Sequence, residues 1–168
     1  MYEYRKLSAE ERAKFIEERL ERGFPPHSPP HLAGESGLYL LAATCYEHKR
    51  QMILPRLRKQ VLDRLFELFT LQGDEIRASV VLPNHYHLLH FAPDGMHFER
   101  VLRLVHGRTS YQWNKEDRSP GRKVWYRYSD RVMRSERHYF TTLNYIHYNP
   151  VKHELASSPY NWGDSSVH

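Results

Sequence analysis

The chain has 168 residues, is 40% hydrophobic and 13% aromatic, and carries a formal net charge of +5 with a pI of about 9.3. That length supports one domain with a proper core. A single cysteine, Cys45, excludes a disulfide framework and a cysteine-rich zinc site, and no apolar run approaches the ~18 residues of a membrane helix, so a cytoplasmic protein is expected.

Ser8 and Glu11 have capping-box spacing, and "AEERAKFIEERLER" up to Gly23 predicts a short charged helix. "GFPPHSPPHLAGESG" follows, with four prolines and three glycines in 15 residues, and reads as an extended connector. The division expected is therefore 1–37, helix and connector, and 38–168, the compact domain. "LYLLAATCY" (38–46) predicts a buried strand. From Leu54 the apolar residues Leu57, Val61, Leu65 and Leu68 step by three and four, which predicts a helix to about Leu71, ended by Gly73. "EIRASVVLP" (75–83) and "HYHLLHF" (85–91) are expected as strands separated by a bend at Pro83 and Asn84. A second helix buries Phe98, Val101, Leu102 and Val105 and turns Arg100 and Arg103 elsewhere. After "DRSPGR" come a strand in "KVWYRYSDRVM" and a last helix from about Ser135 to Tyr148, stopped by Asn149-Pro150. The core order, strand, helix, strand, strand, helix, strand, is the ferredoxin-like α+β pattern with one helix appended.

Two features carry chemistry. Between Glu99 and His138 there are eleven Lys and Arg against five Asp and Glu, interleaved with Tyr111, Trp113, Trp125, Tyr126 and Tyr128. Such a segment suits nucleic-acid backbone contacts and base stacking. The other feature is "VVLPNHYHLLHF". On a strand His85 and His87 project to one side while Tyr86, Leu88 and His90 project to the other, so His85 and His87 can share a cation and His90 takes a structural role. Two imidazoles leave a coordination sphere incomplete. On the last helix Tyr139, Phe140, Leu143, Ile146 and His147 form the stripe expected to pack on the sheet. His138, Thr142, Tyr145 and Asn149 lie on another side, with Tyr145 and Asn149 one turn apart. An amide oxygen from Asn149 suits a hard divalent ion. Periodicity alone leaves both Tyr145 and Tyr148 as candidates for a tyrosine at the site.

"LPNHYHLL" resembles the His-hydrophobic-His signature of single-tyrosine HUH transposases, and "WYRYSDRVMRSERHYFTTLNYIHYNPVKHEL" with "SPYNWGDSSVH" resembles the tail of the REP-associated tyrosine transposases. The resemblance runs from about Leu38 to His168. It departs at Tyr86, where an aliphatic residue is usual, and the first 37 residues have no counterpart in it. It implies a bacterial enzyme with a ferredoxin-like sheet carrying the metal ligands His85 and His87, with Asn149 as third ligand, and a following helix carrying the nucleophile Tyr145.

The activity so implied is metal-dependent single-strand DNA nicking and joining through a 5′-phosphotyrosine, on a short palindromic hairpin with an adjacent single-stranded tetranucleotide. The cofactor would be Mg2+ or Mn2+; nitrogen ligands favour manganese and cellular abundance favours magnesium. Because a phenol ordinarily ionises only near pH 10, a cation or base must assist a tyrosine nucleophile. Backbone contacts and stacking are expected from Arg103, Arg108, Trp125, Arg127, Arg131, Arg134 and Lys152. Two rival readings keep parts of this pattern: a non-catalytic hairpin-binding regulator, and a mononuclear metal-dependent phosphoesterase that turns over with water. Monomer and homodimer both fit the pattern, as does a tyrosine helix acting on its own subunit or on a partner's.

Overall fold

The computed structural model describes residues 8–21, 36–94 and 97–167. The chain divides into two units, Met1–Ala33 and Gly34–His168. In the first, helix α1 (Ala9–Glu21) begins at the expected capping box: Ser8 N–H donates to the Glu11 carboxylate at 2.6 Å, and Glu11 N–H donates to Ser8 Oγ at 3.2 Å. Apart from Ser36 and Gly37, the connector expected over 23–37 lies outside the described residues.

The second unit runs β1 (Gly37–Cys45), α2 (Pro55–Thr70), β2 (Glu75–Val81), β3 (His85–Ala92), α3 (Phe98–Glu116), β4 (Trp125–Val132) and α4 (Glu136–Lys152). The four strands form one sheet in the order β2-β3-β1-β4, with every neighbouring pair antiparallel. Each helical crossover skips one strand, from β1 past β3 to β2 and from β3 past β1 to β4. This is the ferredoxin-like topology that the element order predicts.

Strand alternation divides the core in two. On one face Tyr39, Leu41, Ala43, Tyr86 and Leu88 pack against Leu57, Val61, Leu65 and Phe69 of α2 and Phe98, Val101, Leu102 and Val105 of α3. Full burial of each such aliphatic or aromatic side chain contributes about 1.5–3 kcal/mol. On the other face Ala78, Val80, Leu82 and Leu89 meet Ile146 of α4. Proline at the start of α2 costs no hydrogen bond, and Gly73, at φ +85°, reverses the chain after it.

The C-terminal segment covers the free edge of β2. Val81 N–H donates to Asp164 O at 2.9 Å, Ser166 N–H donates to Ser79 O at 3.0 Å, and Val80 and Ser165 form a single antiparallel bridge. Buried Arg58 of α2 holds this segment through an ion pair to Asp164 and a stack over the Trp162 ring at 4.8 Å. Among the described residues, no helix is long and apolar enough to cross a membrane.

Cys45 is 1% exposed at the end of β1, and burial pushes its thiol up to about 12. Folded protein at pH 8 should therefore resist alkylation by iodoacetamide over hours, while urea-unfolded protein reacts within minutes, as mass spectrometry would show. Rapid labelling of the folded chain would contradict this packing.

Candidate active site

β3 is buried on both sides, and its alternation sends His85 and His87 toward α4 and His90 toward α2 and α3. His90 fills its expected structural role: its Nδ1 pairs with the buried Asp74 carboxylate at 2.5 Å, between the rings of Phe69 and Phe98. Tyr86 is wholly buried on that same face and shares a 2.9 Å hydrogen bond with His106 Nε2, so its hydroxyl is satisfied. Beside the histidine pair, β1 presents small side chains: Thr44 lies opposite His85 and Ala42 opposite His87. Ser129 of β4 lies opposite Ala42, which keeps the floor next to His87 low.

Helix α4 is capped by Ser135, whose Oγ accepts from His138 N–H. It does not stop at Asn149-Pro150. The helix continues to Lys152 with Pro150 inside it, although proline has no N–H and disfavours helical geometry at the preceding residue. Tertiary anchoring overrides that preference, because Asn149 is fully buried and tied to His85.

The packing face also differs from the expected one. Thr142, Ile146, Asn149 and Pro150 are buried, and Phe140 is exposed. Tyr139 and Leu143 pack part-buried at the edge of the contact. Counting apolar residues weights the wrong side because the sheet offers two imidazoles there, which take polar partners from the helix.

The result brings four predicted residues together. Asn149 Oδ1 lies 3.1 Å from His85 Nε2, and the Tyr145 hydroxyl lies 3.4 Å from His87 Nε2. The two imidazole rings meet edge to face at 5.2 Å, and the Tyr145 ring is 5.2 Å from that of His87. Lys152 Nζ sits 5.3 Å over the Tyr145 ring, so the helical residues beyond Tyr148 deliver a cation to the site. Tyr148 is exposed on another side of the helix. In this chain α4 packs on its own sheet.

Burial holds both imidazoles neutral. It pulls His85 down to about 4, with the charges of His153 and His48 adding to the effect against the Asn149 hydrogen bond. It pulls His87 down to about 3, with His85, His153 and Lys152 adding to it. Their lone pairs are therefore open to a cation near neutral pH without proton competition.

Among the described residues, no cluster of three His, Cys, Asp or Glu side chains forms a metal site, so a third protein ligand beside His85 and His87 would be an oxygen of another kind. Asn149 fits that need. Two neighbouring ligands each about 2.1 Å from an octahedral ion are about 3.0 Å apart, close to the spacing of His85 Nε2 and Asn149 Oδ1. Asn149 Nδ2 and His87 Nδ1 are buried without partners, so each keeps hydrogen-bonding or coordination capacity within the site.

No protein-family model matches the chain, and neither does any curated protein. Among solved structures, the chain is similar to a REP-associated tyrosine transposase bound to a REP hairpin, with 22% identity and a TM-score of 0.67, over 84% of this chain and 82% of that one. The chain has the fold of a REP-associated tyrosine transposase. It is also similar to a candidate transposase from Deinococcus radiodurans R1, with 18% identity and a TM-score of 0.47, over 71% of this chain and 95% of that one.

On this REP-associated tyrosine transposase fold, the basic segment is not one surface. Arg103 and Arg108 stand on the exposed side of α3, in the layer that covers the face away from His85 and His87. Arg131 is exposed and pairs with Leu40, on the histidine face, and Arg134 is exposed just beyond β4. The Arg127 side chain lies outside what the structure describes.

Trp125 corrects the expectation of a stacking platform. It is buried, stacks on His106 at 4.4 Å and donates its indole N–H to Thr109 Oγ1 at 2.9 Å. Trp113 is buried too, donating to Gln60. Large aromatic rings in a basic segment signal the core as readily as a ligand surface.

Two site neighbours escaped the sequence reading. His153 lies one turn beyond Asn149, and its ring is 5.0 Å from that of His85. Its spacing from Asn149 was the available signal, masked by the expected helix stop. Asn84, read only as a bend residue, hydrogen-bonds His85 at 2.8 Å.

Replacing Trp125 by Ala should lower unfolding free energy by about 3–5 kcal/mol in urea denaturation. Arg131→Ala, on the surface, should change it by no more than about 0.5 kcal/mol. Unchanged stability in Trp125→Ala would return that ring to the ligand surface.

Proposed function

We propose that this chain is a metal-dependent single-strand DNA endonuclease and strand transferase, transposase-like, acting on hairpin-associated DNA. The observation that carries the reading is the approach of the Tyr145 hydroxyl to His87 beside the His85–Asn149 pair, on the fold of a protein solved with a REP hairpin.

A divalent cation held by His85, His87 and Asn149 would supply Lewis acidity and orientation at the scissile phosphate. Tyr145 Oη attacks phosphorus and loses its phenolic proton, the bond from phosphorus to the 3′ oxygen breaks, and that oxygen takes up a proton as a 3′-hydroxyl. The 5′-phosphotyrosine so formed keeps the phosphodiester energy, and attack by another 3′-hydroxyl reverses the step and joins strands.

Lys152 is a cation suited to a phosphate oxygen near the nucleophile, Arg131 is exposed farther along the same sheet face where a bound strand could run, and the low floor at Ala42 and Ser129 suits passage of that strand beside His87. The burial of Asn149 and Ile146 limits rotation of α4 and so pre-positions the phenol.

The test is a denaturing gel of protein incubated with Mn2+ and labelled single-stranded hairpin DNA drawn from the source genome's repeats. Wild type should give a labelled covalent adduct, lost with EDTA and in Tyr145→Phe but kept in Tyr148→Phe. An adduct surviving in Tyr145→Phe moves the nucleophile elsewhere. Tight hairpin binding with no adduct in wild type favours the non-catalytic regulator, and turnover without an adduct favours the phosphoesterase.

A further inference from the structure

Neutral imidazole has one N–H, and His85 has an amide oxygen against each ring nitrogen: Asn84 Oδ1 at 2.8 Å from Nδ1, and Asn149 Oδ1 at 3.1 Å from Nε2. It can donate to only one. Which one depends on which amide is locked.

Asn84 is locked. Its Nδ2 donates to the His48 carbonyl at 3.4 Å, and its backbone carbonyl, which fixes where the side chain starts, accepts from Cys45 N–H at 2.8 Å. Turning the Asn84 amide over would set an oxygen against the His48 carbonyl and lose that bond. The carbonyl itself is presented by an unusual turn, in which Glu47 and His48 both adopt left-handed backbone, at φ +55° and +54°. Two successive non-glycine residues in that region persist only where surrounding structure holds them, and such strain clusters at functional sites. Asn149 has no such lock, because its Nδ2 is buried without a partner.

We infer that Asn84, braced by the His48 carbonyl, is a positioning residue that holds His85 as the Nδ1–H tautomer. Nε2 then carries a lone pair, which the Asn149 amide, free to turn over, meets with Nδ2–H in the metal-free protein and which a cation would take in its place. This rests on the proposed reading for its purpose but not for its geometry. Outer partners of this kind fix both ring orientation and ligand basicity. Pro83 and the β2–β3 bend serve the same end, since Met52 N–H donates to Pro83 O at 2.8 Å and pins the backbone leading into Asn84.

The experiment is long-range proton–nitrogen NMR of ring-labelled histidines in metal-free full-length protein, followed by Mn2+ titration read by electron paramagnetic resonance. Wild-type His85 should show a protonated Nδ1 and a bare Nε2. Asn84→Ala should lose that preference and bind Mn2+ about 10–100-fold more weakly. Asn84→Asp, which keeps an acceptor oxygen beside Nδ1 but sets its other oxygen toward the His48 carbonyl, should restore the tautomer and, with the brace lost, part of the affinity.

An Nε2–H form in wild type overturns the inference even if no variant folds, and so does an unchanged Nδ1–H form in a folded Asn84→Ala. Failure of wild type to bind Mn2+ while His85 keeps its Nδ1–H tautomer supports the tautomer assignment and tells against the nuclease reading alone.

Discussion

The constraint on which this structure turns is that β3 is buried on both faces yet carries three imidazoles. A buried polar ring without partners costs more than one hydrogen bond contributes, so each histidine must recruit neighbours from whichever layer it faces. His90 takes Asp74 from the start of β2. His85 takes one amide from its own chain neighbour and one from α4. His87 takes the Tyr145 hydroxyl and leaves Nδ1 without a partner. The two faces thus differ in surroundings and not in unpaired nitrogens: His90, whose Nε2 is also buried without a partner, is enclosed by Phe69 and Phe98, whereas His85 and His87 lie against polar groups of α4.

That asymmetry explains why much of the fold and the heart of the site were legible in sequence. Period-two alternation and the apolar steps of α2 and α3 are local rules, and they order the elements and assign the faces of His85, His87 and His90 without reference to the rest of the chain. The misreadings arise where a local rule meets a tertiary one. Asn149-Pro150 is a stop signal for an isolated helix, but in the fold Asn149 is anchored on His85 and the helix runs on, carrying Lys152 and His153 to the site. The same anchoring buries Thr142 and Asn149 while leaving Phe140 exposed, an inversion of hydropathy that no helical wheel contains.

The basic segment fails for another reason. Charge counted along a chain is a one-dimensional quantity, whereas a binding surface needs the charges on one side of the fold. From Glu99 to His138 the chain passes through α3 on one face of the sheet, turns, and returns as β4 at the edge, so its arginines are divided between layers. Its two tryptophans tie those layers together instead of meeting a ligand: Trp125 bonds Thr109 on α3, and Trp113 bonds Gln60 on α2. What remains beside the histidines is Lys152, over the Tyr145 ring, with Arg131 two strands away on the same face of the sheet.

The choice between the two tyrosines follows from how α4 is seated. At roughly 100° per residue, a helix anchored by Thr142, Ile146 and Asn149 leaves only flanking positions both near the sheet and open to a substrate. Tyr145 is adjacent to Ile146 in sequence and one turn before Asn149, which sets it on the flank nearest His87, half out of the interface. Tyr148, three residues on, falls farther round and is 59% exposed. The seating itself depends on Asn149 meeting His85. One polar contact across the sheet–helix interface therefore sets helix rotation and the reach of the phenol, and it supplies the oxygen that would complete a cation's ligands.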